Sequence, residues 1–392
     1  MNILILHNRY RQPGGEERAV GEMAALLEGR GHRVEVLERT SSALDGVTGR
    51  LRAGAGMVAG GLAPEAVARA VRSFGAEVVH AHNINPLLGP RALAAAGEAG
   101  AAVVMHLHNY RLFCAIAIGY RDGQVCKLCR GRNTLPGVRL RCRGNLPEAL
   151  AYGAGLARQQ APLIEAVDRF VAPSRFAARR LEELGLHGYR MEVIHNFLRS
   201  SEMAAAPAHG AEFALFAGRL VEEKGADTAI EASAAARVPL VVAGEGPDEP
   251  RLRAIASRLG APVDFRGHVS APQLAALRAQ AAFAVAPSRW DEPCPYSVIE
   301  AMAAGVPVLA ARSGGLPEMT GDESVLSPRS GAEWAAAFAL LWADDGLRRE
   351  RAAAALARAQ LLFGEDRFYE NLMQVYELAV ARRRRRVEAV AA

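Results

Sequence analysis

Two acidic side chains stand in the apolar stretch SRWDEPCPYSVIEAMAAGVP, where Glu292 and Glu300 have seven residues between them. Prolines flank Glu292, so we predict a loop there, because proline fixes φ and lacks the amide donor that a helix interior or a central strand needs. SVIEAMAAG has helical composition, and we predict a helix that is capped by Ser297 and stops at Gly305. In a unit of strand, loop and helix, the loop and the first helical turn face the ligand crevice. Both carboxylates can therefore face a ligand, although the spacing alone is more typical of glutamates that cap or solvate a helix.

A second set of residues could bind anions. The first apolar run is followed by HNRYRQPGGEERAV, which places Gly14 and Gly15 before a helix, where the backbone can approach a ligand and exposed amides attract anionic oxygens. In the second half, AGRLVEEKGADTAIEA offers Arg219 and Lys224. A guanidinium can grip two phosphate oxygens while an ammonium adds a point charge, so these cations suit a diphosphate. A plain turn and two surface cations are the alternatives.

Four of the five cysteines are grouped in NYRLFCAIAIGYRDGQVCKLCRGRNTLPGVRLRCRG, and only Cys294 lies elsewhere. A central C-x2-C with one outlying cysteine on each side resembles a four-thiolate zinc site. Disulfides are disfavoured in a reducing compartment. We therefore predict a structural zinc ion, although the outer spacings are looser than in the strongest zinc motifs and leave a site without metal open. The predicted ligands are Cys114, Cys126, Cys129 and Cys142.

Composition and charge limit the possible functions. The 392 residues, 51% of them hydrophobic and 38 of them glycine, are typical of a soluble α/β protein of about two domains. The net charge of +5 conceals 26 basic and 17 acidic residues in 1–200, against 21 and 25 in 201–392. Basic clusters at 130–144 and 382–386 suit an anionic bilayer, nucleic acid or a phosphorylated acceptor, or a merely solvated tail. No segment reaches transmembrane length, so we expect a cytoplasmic protein.

Short apolar runs alternate with amphipathic stretches along both halves, from NILILH to VPVLAA, which predicts parallel, helix-covered sheets. After Asn196, the segment FLRSSEMAAAPAHG loses this periodicity, and we interpret it as an interdomain linker. The prediction is two Rossmann-like domains facing across a cleft, with ligands at the carboxyl ends of both sheets. The predicted boundaries are 1–196, with a cysteine-rich insertion at about 111–145, then 197–365, and a closing helix with an arginine-rich tail at 366–392.

Several motifs in order resemble the retaining glycosyltransferases of family 4, which have the GT-B fold. The similarity covers FAGRLVEEKGADTAIEA, VVAGEGPDEPRL, FRGHVS and APSRWDEPCPYSVIEAMAAGVPVLAARSGGLPEM, and in the first half QPGGEERAV, RGHRVEVL, EVVHAHN and VVMHLHNYR. The resemblance implies sugar transfer from a nucleotide-sugar donor bound by the second domain to an acceptor bound by the first. It also implies same-face attack, in which the leaving phosphate takes the acceptor proton. No Asp-x-Asp motif stands where a metal would bridge the diphosphate, so we expect no catalytic metal.

The resemblance implies individual roles. Arg219 and Lys224, with the Gly14 and Gly15 amides, would neutralise the donor diphosphate. Glu300 would accept hydrogen bonds from the ribose, and Glu292 would hold sugar hydroxyls with help from amides at the start of the next helix. His108 would face the sugar and the acceptor, although a histidine at a strand end is more often structural. The implied catalytic set is His108, Arg219, Lys224 and Glu292, and the implied donor-binding set is Gly14, Gly15, Arg219, Lys224, Glu292, Tyr296, Ser297 and Glu300.

One departure from the family pattern leaves the donor sugar open. Pro293, Cys294, Pro295 and Tyr296 stand where glycine, phenylalanine and glycine commonly follow the first glutamate, and Pro295 removes one amide that could touch the sugar.

We expect a peripheral enzyme at the inner face of the membrane that extends a polyprenyl-diphosphate-linked saccharide for a cell-surface polysaccharide. A freely soluble glycosyltransferase with a small-molecule acceptor is the main alternative. A zinc-containing nucleic-acid-binding protein is disfavoured, because residues 130–143 contain no aromatic side chain for base stacking, and we expect no nucleic-acid partner. A nucleotide-sugar epimerase or a phosphorylase on the same fold is disfavoured by the cations and glutamates together.

Overall fold

The structure is a computed structural model, which describes residues 1–10, 14–40, 46–186, 188–208 and 210–391. It divides into two compact units. The first unit comprises Met1–Gly119, Lys127–His195 and the chain from Asp366 onward, and the second comprises Tyr120–Cys126 and Asn196–Glu365.

Parallel strands and their crossover helices make up most of the described chain. The strands are β1 (Asn2–Arg9), β2 (Arg33–Thr40), β3 (Val78–Ala81), β4 (Ala102–His106), β5 (Tyr120–Arg121), β6 (Gln124–Val125), β7 (Arg169–Ala172), β8 (Met191–Val193), β9 (Phe213–Ala217), β10 (Leu240–Ala243), β11 (Val263–Gly267), β12 (Ala281–Ala286), β13 (Val308–Ala311) and β14 (Val325–Leu326). The helices are α1 (Gly15–Gly29), α2 (Gly46–Ala59), α3 (Pro64–Phe74), α4 (Gly89–Glu98), α5 (Leu135–Arg139), α6 (Leu146–Ala166), α7 (Arg175–Leu184), α8 (Ala226–Ala236), α9 (Glu249–Leu259), α10 (Ala271–Gln280), α11 (Tyr296–Ala303), α12 (Leu316–Thr320), α13 (Gly331–Ala343), α14 (Asp345–Phe363) and α15 (Glu365–Ala391).

Each unit is built on one parallel sheet. Within the described residues, the strand order is β2-β1-β3-β4-β7-β8 in the first unit and β11-β10-β9-β12-β13-β14 in the second. The central strands are buried along almost their whole length, with Ile3, Leu4, Ile5 and Leu6 of β1 at 0% exposure. Helices must cover both faces of such a sheet, which is why these strands are continuous apolar runs. The predicted α/β fold class is confirmed.

The second unit also contains a segment of the predicted cysteine-rich insertion. Strands β5 and β6 form an antiparallel hairpin, and the Tyr120 hydroxyl donates to Glu222 Oε1 at 3.4 Å. The predicted boundaries place this whole insertion in the first domain. Residues 120–126 are instead grouped with the second unit.

The segment interpreted as a linker packs within the second unit. Its Ser200 hydroxyl donates to Glu365 Oε1 at 2.6 Å, and the amides of Ala204 and Ala208 donate to the carbonyls of Ala303 and Gly305. Residue 209 lies outside the described residues. Backbone groups in a segment without periodicity still need partners, and here the end of α11 supplies them.

The predicted start of α11 is wrong by two residues. Pro295 occupies the N-cap position with φ −73°, and Ser297 lies inside the first turn, without a side-chain cap. The fixed φ of proline prepares the chain for the helix, and its carbonyl accepts from the Val298 amide at 3.2 Å. The helix ends before Gly305, whose φ of +68° is the left-handed conformation that glycine adopts most readily.

The closing helix α15 is anchored within the first unit by its arginines. Arg383 donates to the Gly97 carbonyl, and Arg386 donates to the Glu165 carbonyl at 2.8 Å. Arg382 and Arg386 also lie 3.9 and 3.7 Å from the buried Asp168 carboxylate. Three arginines of the basic tail therefore have structural contacts, whereas Arg384 and Arg385 are exposed.

Candidate functional site

The most organised acidic centre of the second unit is Glu292, which is 3% exposed. Lys224, in a short 3₁₀ turn after β9, places Nζ 2.5 Å from Glu292 Oε1, and the Ser288 hydroxyl donates to the same oxygen at 2.7 Å. A buried carboxylate needs such partners, because desolvation without them would drive it to its neutral form. The ring of Trp290 lies 5.5 Å from Lys224 Nζ and adds a cation–π contact.

The backbone of Glu292 is fixed by the turn at the start of α12. The Gly315 amide donates to the Glu292 carbonyl at 2.6 Å. Gly314 has φ +60°, and a Cβ there would lie 2.3 Å from the backbone N and O of Glu292. Only glycine fits at this position, so the GG pair of RSGGLPEM positions the loop that carries the acid.

The other predicted donor residues of this unit lie around the same sheet edge. Strands β9 and β12 are parallel neighbours, so the loops that carry Arg219, Lys224 and Glu292 leave the sheet at one edge. Arg219 is exposed, whereas Glu300, inside α11, forms an ion pair with Arg278 of α10. The structure thus places Lys224 against Glu292 and pairs Glu300 with a different cation.

Tyr296 and Ser297 form the first turn of α11. Tyr296 is 8% exposed and Ser297 is half-buried. Their position after the β12 loop is the one that the resemblance assigned to the amides facing the sugar.

In the first unit, Gly14 is the N-cap of α1, and Gly15 is its first residue. The Gly14 amide donates to Glu17 Oε2 and the Tyr10 amide donates to Glu17 Oε1, both at 2.8 Å. Burial raises the pKa of Glu17, but the nearby His7 ring, 3.7 Å away, and the hydrogen bonds from the Tyr10 and Gly14 amides outweigh it and lower the pKa overall. The Gly14 amide is therefore already bonded, while residues 11–13 of the predicted glycine loop lie outside the described residues.

Five histidines line one face of the first sheet. Strands β3 and β4 pair His80 with Val104, and continuing that register places His82 beside His106. The His80 and His82 rings stack at 4.7 Å, those of His82 and His106 at 5.5 Å, and those of His106 and His108 at 4.4 Å. His7 of β1 meets His82 edge-on at 6.4 Å. His108 thus belongs to an array of five histidines, of which His82 and His106 lie beside its ring, at 5.0 and 4.4 Å between ring centroids. The sequence predicts none of the other four as site residues.

One close contact lies inside this histidine array, and another joins the array to α15. His82 Nδ1 lies 2.7 Å from His108 Nε2, and His80 Nδ1 lies 2.8 Å from the Tyr376 hydroxyl of α15. Burial lowers the pKa of His80, His82 and His108 well below the usual value and lowers that of His106 to about 3. All four rings are therefore neutral near pH 7.

A pocket within the first unit opens beside the array. Glu16 lies on its wall, where burial raises the pKa of the carboxyl, and accepts from the Tyr10 hydroxyl at 3.0 Å. Half of its ten polar lining side chains are amides, which suit a ligand rich in hydroxyl groups. The polar lining residues are Glu16, His82, Asn83, Asn85, His106, His108, Asn109, Arg111, Gln159 and Gln160.

The cysteines do not form a metal-ligand group within the described residues. Cys126 belongs to the second unit and Cys114, Cys129 and Cys142 to the first. The described side chains whose ligand atoms converge within 4.8 Å of one another are instead His80, His82 and His106. The zinc site stays a prediction, which metal analysis of protein purified without chelator would test.

Two family models match this chain in succession. The model described as Glycosyltransferase Family 4 matches residues 13–201, and the one described as Glycosyl transferases group 1 matches residues 199–358. The chain belongs to the family 4 type of glycosyltransferases. It has the GT-B fold, as the solved structures below also indicate.

Among curated proteins, this chain is similar to a D-inositol 3-phosphate glycosyltransferase of Streptomyces avermitilis. The two are 33% identical over 280 residues, which are 63% of this chain and 58% of the relative. The chain thus spans somewhat more than half the length of the first curated relatives it matches.

Two solved structures share the fold over nearly the whole chain. HepE from Anabaena in complex with UDP has a TM-score of 0.66 and 19% identity, covering 96% of this chain and 100% of that one. Sucrose-phosphate synthase from Thermosynechococcus elongatus has a TM-score of 0.70 and 16% identity, covering 97% and 99%.

Acidification is expected to destabilise the first unit of this chain. His80, His82 and His106 are buried with lowered pKa values, whereas an unfolded histidine titrates near 6.5. Below that pH the unfolded chain binds more protons, so the free energy of unfolding falls from about pH 7 towards pH 4. Each histidine contributes up to about 1.4 kcal/mol per pH unit. His106→Gln should remove about one such contribution from the pH dependence of the free energy of unfolding. Urea unfolding at several pH values measures this slope.

Val104→Ala is the matched control, because Val104 is fully buried on the same strand and does not titrate. It should lower stability equally at every pH. Equal slopes for wild type and His106→Gln would contradict the account.

Proposed function

We propose that this glycosyltransferase transfers a sugar, with retention of configuration, from a nucleotide-sugar donor to a saccharide or lipid-linked saccharide acceptor. The observation that carries the proposal is the contact of Lys224 and Ser288 with the buried Glu292 carboxylate, at the edge where Arg219 also leaves the sheet. The similar structure solved with UDP makes UDP-sugars the first donors to test.

The cations explain how the transfer is accelerated. Negative charge grows on the departing diphosphate as the sugar becomes an oxocarbenium-like ion. Fixed cations at that position stabilise the transition state more than the ground state. Arg219 is exposed and can bind two phosphate oxygens, and Lys224 can shift from Glu292 to the diphosphate as sugar hydroxyls replace it on the carboxylate.

Retention follows from the leaving phosphate acting as the base. Retaining glycosidases use two neighbouring carboxyl groups, one of them as a nucleophile. Here Glu292 is engaged by Lys224, and Glu300 is engaged by Arg278, so each carboxylate has a binding partner of its own. Neither carboxylate is thus free to act as a nucleophile, and we assign the acceptor proton to the diphosphate. On the resemblance to the family, we assign Glu292 to the sugar and Glu300 to the ribose.

Substituting the two glutamates should have different effects. Glu292→Ala should chiefly lower kcat, and Glu300→Ala should chiefly weaken donor binding, because one acid holds the reacting sugar and the other the nucleotide. Losing a charge-assisted hydrogen bond is worth about 1.5–3 kcal/mol, which is roughly a tenfold to 150-fold effect. Steady-state kinetics and donor titration calorimetry measure the two quantities.

Glu231→Ala is the control, since Glu231 is exposed on α8 of the same unit, and it should leave both quantities unchanged. Wild-type kinetics in both Glu292→Ala and Glu300→Ala would overturn the site assignment.

We further propose that the acceptor is lipid-linked and that basic side chains of the first unit bring the enzyme to an anionic membrane surface. Arg139 and Arg141 are exposed, as are Arg384 and Arg385 of α15, and Arg130 and Arg132 are exposed although they bind backbone carbonyls of that unit. Each cation near an anionic leaflet gains about 1 kcal/mol before screening. Among the described helices, none is both long and apolar enough to cross a membrane.

A small phosphorylated acceptor is the second candidate, favoured by the similarity to a D-inositol 3-phosphate glycosyltransferase and by the positive excess of the first half.

Sedimentation with anionic liposomes separates the two candidates. The protein should pellet with the liposomes at low salt and be released at high salt, because salt screens the attraction between exposed arginines and anionic lipids. Arg384→Ser with Arg385→Ser should reduce binding, whereas Arg258→Ser, a change to an exposed arginine in the last turn of α9 in the second unit, should not. Absence of binding at low salt would reject the membrane proposal and leave the small acceptor.

A further inference from the structure

The contact between His82 and His108 limits which of their ring nitrogens can be protonated. His82 Nδ1 lies 2.7 Å from His108 Nε2, so one of these two nitrogens donates and the other accepts. Burial lowers the pKa of both rings, so each is neutral and carries one N–H. Only two arrangements of protons are then compatible with the hydrogen bond.

The other nitrogen of His82 decides between them. His82 Nε2 is buried and has no hydrogen-bond partner among the described residues. A proton there would be a buried N–H without an acceptor, which is rarer and costlier in folded proteins than a bare acceptor. The proton of His82 therefore lies on Nδ1 and is donated to His108 Nε2, which leaves the proton of His108 on its own Nδ1.

The same reasoning applies at the other end of the array. His80 Nε2 is also buried without a described partner, and His80 Nδ1 faces the Tyr376 hydroxyl at 2.8 Å. His80 therefore carries its proton on Nδ1 as well.

We infer that His82 is a positioning residue that holds His108 with its proton on Nδ1, so that His108 offers a hydrogen-bond donor, and no proton acceptor, to an oxygen of the ligand in the pocket. His108 is half-buried and lines this pocket, and Nδ1 is the ring nitrogen that the contact with His82 leaves for a ligand. The ligand oxygen is a hydroxyl or another acceptor of a polyhydroxylated molecule. For catalysis the inference rests on the proposed function, in which the leaving phosphate takes the acceptor proton and His108 is not the base.

A metal ion on His80, His82 and His106 would require a different arrangement. An imidazole binds a metal through a lone pair in the plane of its ring, at about 2.0–2.1 Å for zinc. The His82 ring is within 9° of parallel to that of His80 and within 18° of that of His106. Lone pairs in stacked, nearly parallel planes do not converge on one ion, so hydrogen bonding accounts for the array better than metal binding.

The test is nitrogen NMR of the full chain labelled with ¹⁵N-histidine, whose ring shifts distinguish a protonated from a bare nitrogen. Wild type should show His82 and His108 protonated on Nδ1 near pH 7. His82→Asn keeps an N–H near the position of Nδ1 and should preserve this state of His108, whereas His82→Leu should give a mixture of both tautomers. The Leu variant should also lose about threefold to tenfold in kcat at unchanged donor KM, the effect of one neutral hydrogen bond. Tyr376→Phe, at the far end of the array, should leave the His108 signals unchanged.

A proton on Nε2 of His108 in wild type, an imidazolium, or signals that move when zinc is added would overturn the inference. Identical kinetics for wild type and His82→Leu would overturn the positioning role. If His82→Leu does not fold, the wild-type spectrum and the Asn variant decide. If wild type shows the expected tautomers but transfers no sugar, the proposed function fails and the tautomer assignment stands.

Discussion

Burial of both sheet faces is the constraint on which the rest of this structure depends. A parallel sheet covered by helices on both sides has no solvated face, so polar chemistry is confined to the ends of the strands. Lys224 and Glu292 lie in loops that follow β9 and β12, and His108 lies just beyond β4. His7, His80 and His106 are exceptions inside strands, and burial lowers the pKa of His80 and His106 so that both remain neutral near pH 7.

The two units hold their polar groups in different ways. In the second unit, opposite charges meet: Lys224 binds Glu292, and Arg278 binds Glu300. Removing one partner of a buried pair leaves an uncompensated charge, so loss of either partner should lower stability. In the first unit, neutral imidazoles stack. Which ring nitrogen donates a hydrogen bond and which accepts one depends on the nitrogen that carries the proton. Charge suits recognition of a diphosphate, and a neutral donor suits recognition of a hydroxyl oxygen.

Much of this fold could be predicted from the alternation of apolar runs and amphipathic stretches, because each buried strand corresponds to a short apolar run in the sequence. The cations after β9 and the two glutamates could also be found, since they stand beside glycines and prolines that mark strand-to-helix loops. Ser288 and Arg278 could not, because their contacts with Glu292 and Glu300 depend on rotamers and helix placement. The error at Ser297 has a local cause, since Pro295 sets the helix start two residues earlier.

Part of the histidine array could be predicted from the sequence. VHAHN and MHLHN each repeat histidine at the two-residue period that puts side chains on one face of a strand. Four rings stack because the two strands are adjacent and in register. This pairing depends on the order of strands in the sheet, which the local sequence does not contain. Likewise, the arginines at positions 383 and 386 look like a solvated tail, but the carbonyls that they bind belong to residues more than two hundred positions away.

The most direct test of the central claim is proton NMR of the reaction with α-linked nucleotide sugars, UDP-sugars first, offered with an inositol phosphate and with a polyprenyl-diphosphate-linked saccharide. The account predicts release of the nucleoside diphosphate together with a product whose new anomeric proton has the small coupling of an α-glycoside for a gluco-configured donor. A β-linked product, or no consumption of any nucleotide sugar in the presence of either acceptor, would contradict it.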